Sequence, residues 1–460
     1  MHFSYEKLLK VRIISLLFDK TLNSFMKLKK HLSLAPLVNG FKKAFHDYQE
    51  IRQETSTTYS TLDTALSGLA CMFYQSGNMV NYQERMEQKH HRNNLQTQFG
   101  VVHTPKDNQM RKIIGSIPSA QFAPVFDDYL AKLQRSKYLA SYQFQKKYLV
   151  AIDATEYYSS EAIHCSCCLT QTKRNGVVQY SHKALQPIIC HPDKKLILPL
   201  MPEEIKNTDG TEKQDCEINA AYRLLPSIRS RHPRMSFIWL ADSLYATAPF
   251  IQNILDAGED YLFRVKQGDH KKLFETIETA PYESLKSCTE NSKTTIAHRW
   301  YKDIPLNGSS DITVTVIRAF AISTDKNGNQ TSTILGVWAT NLDVNEPTVI
   351  SITKAARARW KVENECFNTL KNHGYDLTHN WGHVNGESFN FYILIMLAFY
   401  IHQILEMTDK LFQWCRSITR TFRKLWVELG VLFEMFLFES WEHMLCFYAE
   451  KKEKPPPFSM

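Results

Sequence analysis

From residue 1 to about 140 the apolar positions recur at helical spacing, as in "TLDTALSGLACMFYQ". The stretch "TPKDNQMRKII" supplies a helix start, with Asp107 placed to cap the first amides. This region is expected to be helical. At Lys146 the texture changes to short apolar runs, "KKYLVAIDAT", "VVQYSHKALQPII" and "KKLILPL", the last two separated by the turn-like "CHPD". They predict an antiparallel meander of three strands. "DCEINAAYRLLPSIRSRHP" returns to helical spacing, and "MSFIWLADS" reads as a strand buried on both faces. "APFIQNILDAG" reads as a helix stopped by Gly258, and "DYLFRVK" as another strand. The order is therefore β β β α β α β. Between about 285 and 345, "DITVTVIRAFAIS" and "TSTILGVWAT" flank the turn signal "TDKNGNQ" and predict an inserted β-region. Helices resume near 350 and run through "CRSITRTFRKLW" to the proline-rich "KPPPFSM".

These changes divide the chain into five parts. Residues 1–140 form a helical N-terminal region, 141–284 the first part of an α/β (α+β) domain with a mixed sheet, and 285–345 the β-insertion. Residues 346–410 complete the mixed domain, and 411–460 form a C-terminal helical region.

Composition narrows the function classes. At 460 residues, 43% hydrophobic and 12% aromatic, the chain can fill more than one core. Fifty-five Lys and Arg against 47 Asp and Glu give a formal charge of +8, which suits a polyanion but is shared by many enzymes. Ten cysteines without a secretory pattern at the N-terminus point to reduced thiols and a cytoplasmic protein. The longest apolar run, Phe389 to Leu405, is interrupted by Asn, His and Gln, so a buried core helix is expected and no membrane partner. No phosphate loop, dinucleotide fingerprint or serine-nucleophile elbow is present.

The chemistry concentrates in carboxylates. Asp153 follows the apolar "YLVAI" and Asp242 follows "FIWLA", each where a strand is expected to emerge from its sheet. A turn or capping aspartate explains either one alone; two on strands expected to be neighbours shift the balance toward a site without deciding it. In "RARWKVENECFNTLK" a helical wheel at about 100° per residue puts Glu363 inside the apolar face of Val362, Cys366, Phe367 and Leu370. The same wheel turns Glu365 to the polar side. Arg359, one turn before Glu363, is placed to compensate it as a half-buried salt bridge. Three carboxylates at one place coexist ionised with divalent cations, and oxygen-rich sites favour Mg²⁺ or Mn²⁺.

With Asp153 in "AIDATEYYSS", Asp242 in "LADSLYA" and Glu363 in "RARWKVENECFNTLK", the chain resembles the DDE transposases of bacterial insertion sequences. It is most similar to the group whose ribonuclease-H-like catalytic domain carries a β-insertion before the glutamate helix. The resemblance extends over "IHCSCCLT", "NGVVQY", "KQDCEINAAYRLLP", "FRVKQGDH" and "ENECFNTLKNHGYDLTHNWGH", in that order. It implies that Asp153, Asp242 and Glu363 hold two Mg²⁺ ions and catalyse cleavage at the element's ends, then transfer of 3′-hydroxyls into target DNA. It implies partners of terminal inverted repeats and target DNA, a homodimer on the DNA ends, and a nucleoid-associated place in the bacterial cytoplasm. Arg359 and Lys371 would hold a phosphate, and Arg264 and Lys266 would contact DNA. The family's Tyr, Arg, Glu, Lys signature is incomplete here: Ala356 stands at the Tyr position, Leu370 at the Lys position, and Lys371 comes one residue late. The alternatives are a nuclease of the same fold without strand transfer and a catalytically silent DNA-binding descendant.

Two further groups stand out. "HCSCC" from His164 to Cys168, with Cys190, His191 and Cys216 downstream, has the residue types of a zinc site, including the C-x-x-C of Cys165 and Cys168. Buried free cysteines explain the same residues and no second C-x-x-C exists, so zinc is not counted among the cofactors. His379 and His383 in "THNWGH" follow the helix terminator "NHGY" and are expected in a loop with a packing role or a DNA contact.

Overall fold

The computed structural model describes residues 31–48, 58–86, 93–207, 214–288, 294–308, 311–324, 329–384 and 386–453. The first twenty residues, on which the absence of a secretory leader was read, and the proline-rich tail lie outside them. The described chain forms two compact units. One holds the residues up to Ser136, Gly374–Asp376 and those from Val384 onward; the other holds Lys137–His373 and Leu377–His383.

The first unit is helical. At its centre lies Glu387–Thr408, a 22-residue helix long and apolar enough to cross a membrane, with 89% of its most apolar window buried inside the protein. Thr61–Phe73 and Asp107–Ser116 pack on it, and Asn390 donates to the carbonyls of Ile114 and Ile117 at 2.7 Å each. The C-terminal helices Lys410–Ser417, Phe422–Met435 and Trp441–Glu453 join the N-terminal ones here, with Asn94 donating to the Phe433 and Phe436 carbonyls. The sequence reading had grouped residues as far as 410 with the strands. Asp107 is the first residue of its helix rather than its cap, and it pairs with Arg111 one turn on at 2.7 Å.

The second unit is a mixed α/β body built on one sheet of twelve described strands. In chain order these are β1 Gln143–Phe144, β2 Lys147–Ser160, β3 Leu169–Thr172, β4 Val178–Cys190, β5 Leu198–Pro199, β6 Glu203–Ile205, β7 Phe237–Ala241, β8 Asp260–Arg264, β9 Glu283–Cys288, β10 Thr294–Pro305, β11 Thr313–Thr324 and β12 Gln330–Thr340. The main order is β3-β4-β2-β7-β8-β12-β11-β10-β9. β4 runs antiparallel to β2, while β7 is parallel to both β2 and β8. All five residues of β7 are buried, as are Tyr148 to Ile152 of β2, because helices or neighbouring chain cover both faces of a central parallel strand. The third strand of the expected meander shrinks to the two residues of β5, paired on β4.

Between β7 and β8 the helix Ala248–Asp256 ends as the sequence predicts. Gly258 takes φ +71°, and its N–H donates to the Leu255 carbonyl at 2.9 Å. The β-insertion is a four-stranded antiparallel array, β9 to β12, that continues the sheet from β8. β9 and the full length of β10 were not foreseen. Residues 325–328 of the expected hairpin turn lie outside the described residues.

His402, in the long central helix, is fully buried among Phe73, Trp426 and the Tyr375 hydroxyl. Burial disfavours its charged form and lowers its pKa to about 3 from 6.5. Below 6.5 the unfolded chain binds the proton that the folded chain refuses, so stability from this residue is complete above 6.5 and declines as pH falls toward about 3. Thermal unfolding followed from pH 7 to pH 4 should therefore show a shallower loss of Tm in His402→Phe than in the parent.

Candidate functional site

The pairing of β2 with β7 creates the acidic site. Their parallel register ends at Ala151 opposite Leu240, so two residues further along Asp153 stands opposite Asp242. Asp242 follows directly on β7, as the sequence predicts. Asp153 differs: β2 continues to Ser160 along β4, so the aspartate lies mid-strand, just beyond the last residue paired with β7. Each carboxylate is steadied locally, Asp153 accepting the Ala154 N–H at 3.0 Å and Asp242 the Leu244 N–H at 2.9 Å.

Arg359 binds Asp153 through Nη1 at 2.9 Å, not Glu363 as the wheel suggested. Burial raises the Asp153 carboxyl above its usual range; the Arg359 charge offsets part of this and the Asp242 charge adds to it. A third carboxylate reaches the same field. Glu217, in the first turn of Glu217–Arg231, is raised by burial and then by the charge of Asp153, with Asp242 adding to it and Lys183 opposing. Tyr245 is 1% exposed, and its hydroxyl is pushed well upward by burial and by Glu217, Asp153 and Asp242. That hydroxyl has no hydrogen-bond partner among the described residues.

Glu363 lies in a segment whose geometry overturns the wheel. Ala358–Trp360 is a 3₁₀ turn and Val362–Phe367 a π-helix, so no uniform 100° step applies. Val362, Cys366, Phe367 and Leu370 keep the buried stripe, and the segment packs on β2 and β4. Glu363 is exposed and Glu365 half-buried, the reverse of the expected contrast. The π-turn also bears on the late lysine. One π-turn absorbs one extra residue, so Lys371, eight after Glu363, regains the turn position that a spacing of seven has on a plain α-helix.

A cleft of about 810 Å³ opens beside Asp242 and is lined by Lys266, His270, Lys271 and Lys272. Lys266 thus shares a cleft with Asp242, whereas Asp153 is not part of the lining. Arg264, two residues earlier, ends β8 opposite Trp338 and is not part of the lining.

A second cluster lies at the far end of β2. Cys165 Sγ, Cys168 Sγ, His182 Nε2 and His383 Nε2 converge, with all ligand atoms within 4.8 Å of one another. His164, Cys190 and Cys216, grouped with this motif from sequence, are elsewhere. His164 is exposed and stacks on Tyr180, Cys190 is buried with its thiol on the Ala358 carbonyl, and Cys216 precedes the Glu217–Arg231 helix. His182 was missed because nothing in its local spacing marks it. Strand register does: Leu169 pairs with Ser181, which sets Cys168 opposite His182. No known family model matches this chain and no curated protein matches it, so the reading of its chemistry rests on these two constellations.

Proposed function

We propose that this chain is a DNA transposase, an enzyme of metal-dependent phosphoryl transfer that cuts the ends of an insertion sequence and joins the 3′-hydroxyls to target DNA. The observation that carries the proposal is the register of β2 and β7, which sets Asp153 and Asp242 side by side where their parallel pairing stops. The helix before β7, the β4-β2-β7-β8 order and the strand directions agree with a ribonuclease-H-like core, and β9 to β12 agree with an insertion before the glutamate segment. The donor set also fits a hard divalent cation. Asp153, Asp242 and Glu217 are half-buried carboxylates that repel one another, beside the Tyr245 hydroxyl, buried and without a partner among the described residues, and Glu363 is exposed.

Asp153, Asp242 and Glu363 would hold two Mg²⁺ ions, with Mn²⁺ as the substitute. A metal bound there would supply charge neutralisation at the scissile phosphate and acidification of the attacking water or hydroxyl. The chain's own groups orient the substrate. Arg359 uses one of its five N–H donors on Asp153 and can turn others to a phosphate oxygen. Lys266, Lys271 and Lys272 line the approach beside Asp242 with charge that suits a phosphate backbone. The helical unit would recognise the terminal repeats, with two copies acting together on paired ends in the bacterial cytoplasm.

One observation favours a second reading. Glu217 is half-buried in the field of Asp153 and Asp242, whereas Glu363 is exposed, and a trio of Asp153, Asp242 and Glu217 would serve a nuclease without strand transfer.

The deciding assay incubates the purified chain with duplexes from both flanks of its own reading frame and a target plasmid, in Mg²⁺ or EDTA. Joined product in Mg²⁺ alone is expected. Asp153→Asn and Asp242→Asn should each lower it by more than the roughly 100-fold that loss of an outer-shell partner costs. Unchanged joining in both would sink the proposal; cleavage without joining selects the nuclease. Loss in Glu217→Gln with retention in Glu363→Gln would move the third carboxylate to Glu217. For the cationic cleft, replacing Lys266, Lys271 and Lys272 together by Ala should weaken duplex binding and flatten the log K against log salt slope by about 2 to 3. An unchanged slope would remove these lysines from the DNA path.

A further inference from the structure

The geometry points to a structural zinc site formed by Cys165, Cys168, His182 and His383, a four-coordinate S₂N₂ centre separate from the acidic site. Its ligands come from three places in the second unit. Cys165 and Cys168 sit in the turn between β2 and β3, His182 lies in β4, and His383 ends the Leu377–His383 segment that follows the glutamate-bearing helix.

The distances carry the inference. Zinc bonds of about 2.3 Å to sulfur and about 2.0–2.1 Å to nitrogen, arranged as a tetrahedron, require an S···S edge of about 3.8 Å and S···N edges of about 3.6 Å. The observed separations are 3.8 Å between Cys165 Sγ and Cys168 Sγ, 3.5 Å from each sulfur to His182 Nε2, and 3.6 Å from Cys168 Sγ to His383 Nε2. These four of the six edges match the tetrahedral values, and the other two ligand-atom pairs lie within 4.8 Å. A disulfide between the two cysteines would need sulfurs about 2.05 Å apart, and both thiols are free.

Their surroundings are built to hold the ligands in place. Cys168 and His182 are each 3% exposed and His383 is 8% exposed. The Cys165 N–H donates to Cys168 Sγ at 3.4 Å, and the Cys168 N–H donates to the Cys165 carbonyl at 3.2 Å, closing the C-x-x-C turn. Asn207 donates to the Cys168 carbonyl at 3.2 Å. The Tyr158 ring lies 4.5 Å from that of His383, and its hydroxyl donates to the Ile163 carbonyl at 2.9 Å, tying the loop back to β2. Two thiolates and two imidazoles in a tetrahedron select zinc over the hard cations suited to the acidic site. Four protein ligands leave no open position, so the metal staples rather than catalyses. It joins the ends of β2, β3 and β4 to the chain leaving the Glu363 segment.

The test is the metal content of the full chain, purified without a polyhistidine tag, beside Cys165→Ser, His383→Ala and the neighbouring control Cys167→Ser. About one zinc per chain is expected in the parent and in the control, with a loss of roughly tenfold or more in the two ligand variants. Zinc under about a tenth of an equivalent in the parent, iron in its place, or equal zinc in all four proteins overturns the inference. Cobalt exchanged into the parent protein keeps the test decisive if the variants fail to fold. Intense visible ligand-field bands with thiolate charge transfer are expected for a tetrahedral S₂N₂ site, and a weak octahedral spectrum refutes it.

Discussion

The parallel contact between β2 and β7 is the constraint on which the second unit depends. It joins the buried stretch Tyr148 to Ile152 of β2 to the wholly buried β7, and it stops two residues short of Asp153 and Asp242. Placing two carboxylates in a half-buried position is costly unless positive charge accompanies them. Arg359 supplies one such charge from the short 3₁₀ turn that leads into the π-helix. The irregular segment is thereby linked to the sheet through its first cation, and Glu363 follows four residues later on a segment packed against β2 and β4.

The two constellations of this unit share the same strand. β2 carries Asp153 near its middle and leads, past Ser160, into the turn holding Cys165 and Cys168. β4 pairs with β2 along its length and carries His182 at the same end. His383 returns to that end from the chain beyond the glutamate segment. The Cys and His cluster and the Arg359 to Asp153 ion pair thus each tie the sheet to the segment after β12, at two separate points. Their donor atoms are distinct, sulfur and imidazole nitrogen at one and carboxylate oxygen at the other.

The helical unit solves a different problem. Glu387–Thr408 is apolar all round, with no polar face to leave in water, so it is stable only where other helices enclose it. N-terminal helices such as Thr61–Phe73 and the C-terminal helices share that task, which draws together parts of the chain separated by more than 300 positions, as in the bonds from Asn94 to Phe433 and Phe436. The aromatic packing around His402 follows from the same enclosure.

The sequence by itself determined the local features whose causes are local. A continuous apolar run marked β7 as a buried strand with Asp242 directly after it, Gly258 stopped its helix because glycine takes positive φ without strain, and a C-x-x-C turn announced itself by spacing. Tertiary structure decided what depended on register and on departures from regular geometry. His182 became a partner of Cys168 through strand pairing, His383 through the return of a loop, and Glu217 entered the field of Asp153 and Asp242 through the placement of its helix. The partner of Arg359 and the exposure of Glu363 were misread for one reason: a wheel assumes a constant turn, and here a 3₁₀ turn passes into a π-helix within a few residues. Periodicity reports which face is buried, as the stripe of Val362, Cys366, Phe367 and Leu370 shows. It cannot report which distant charge a side chain will meet, because that is set by contacts between segments remote in the chain.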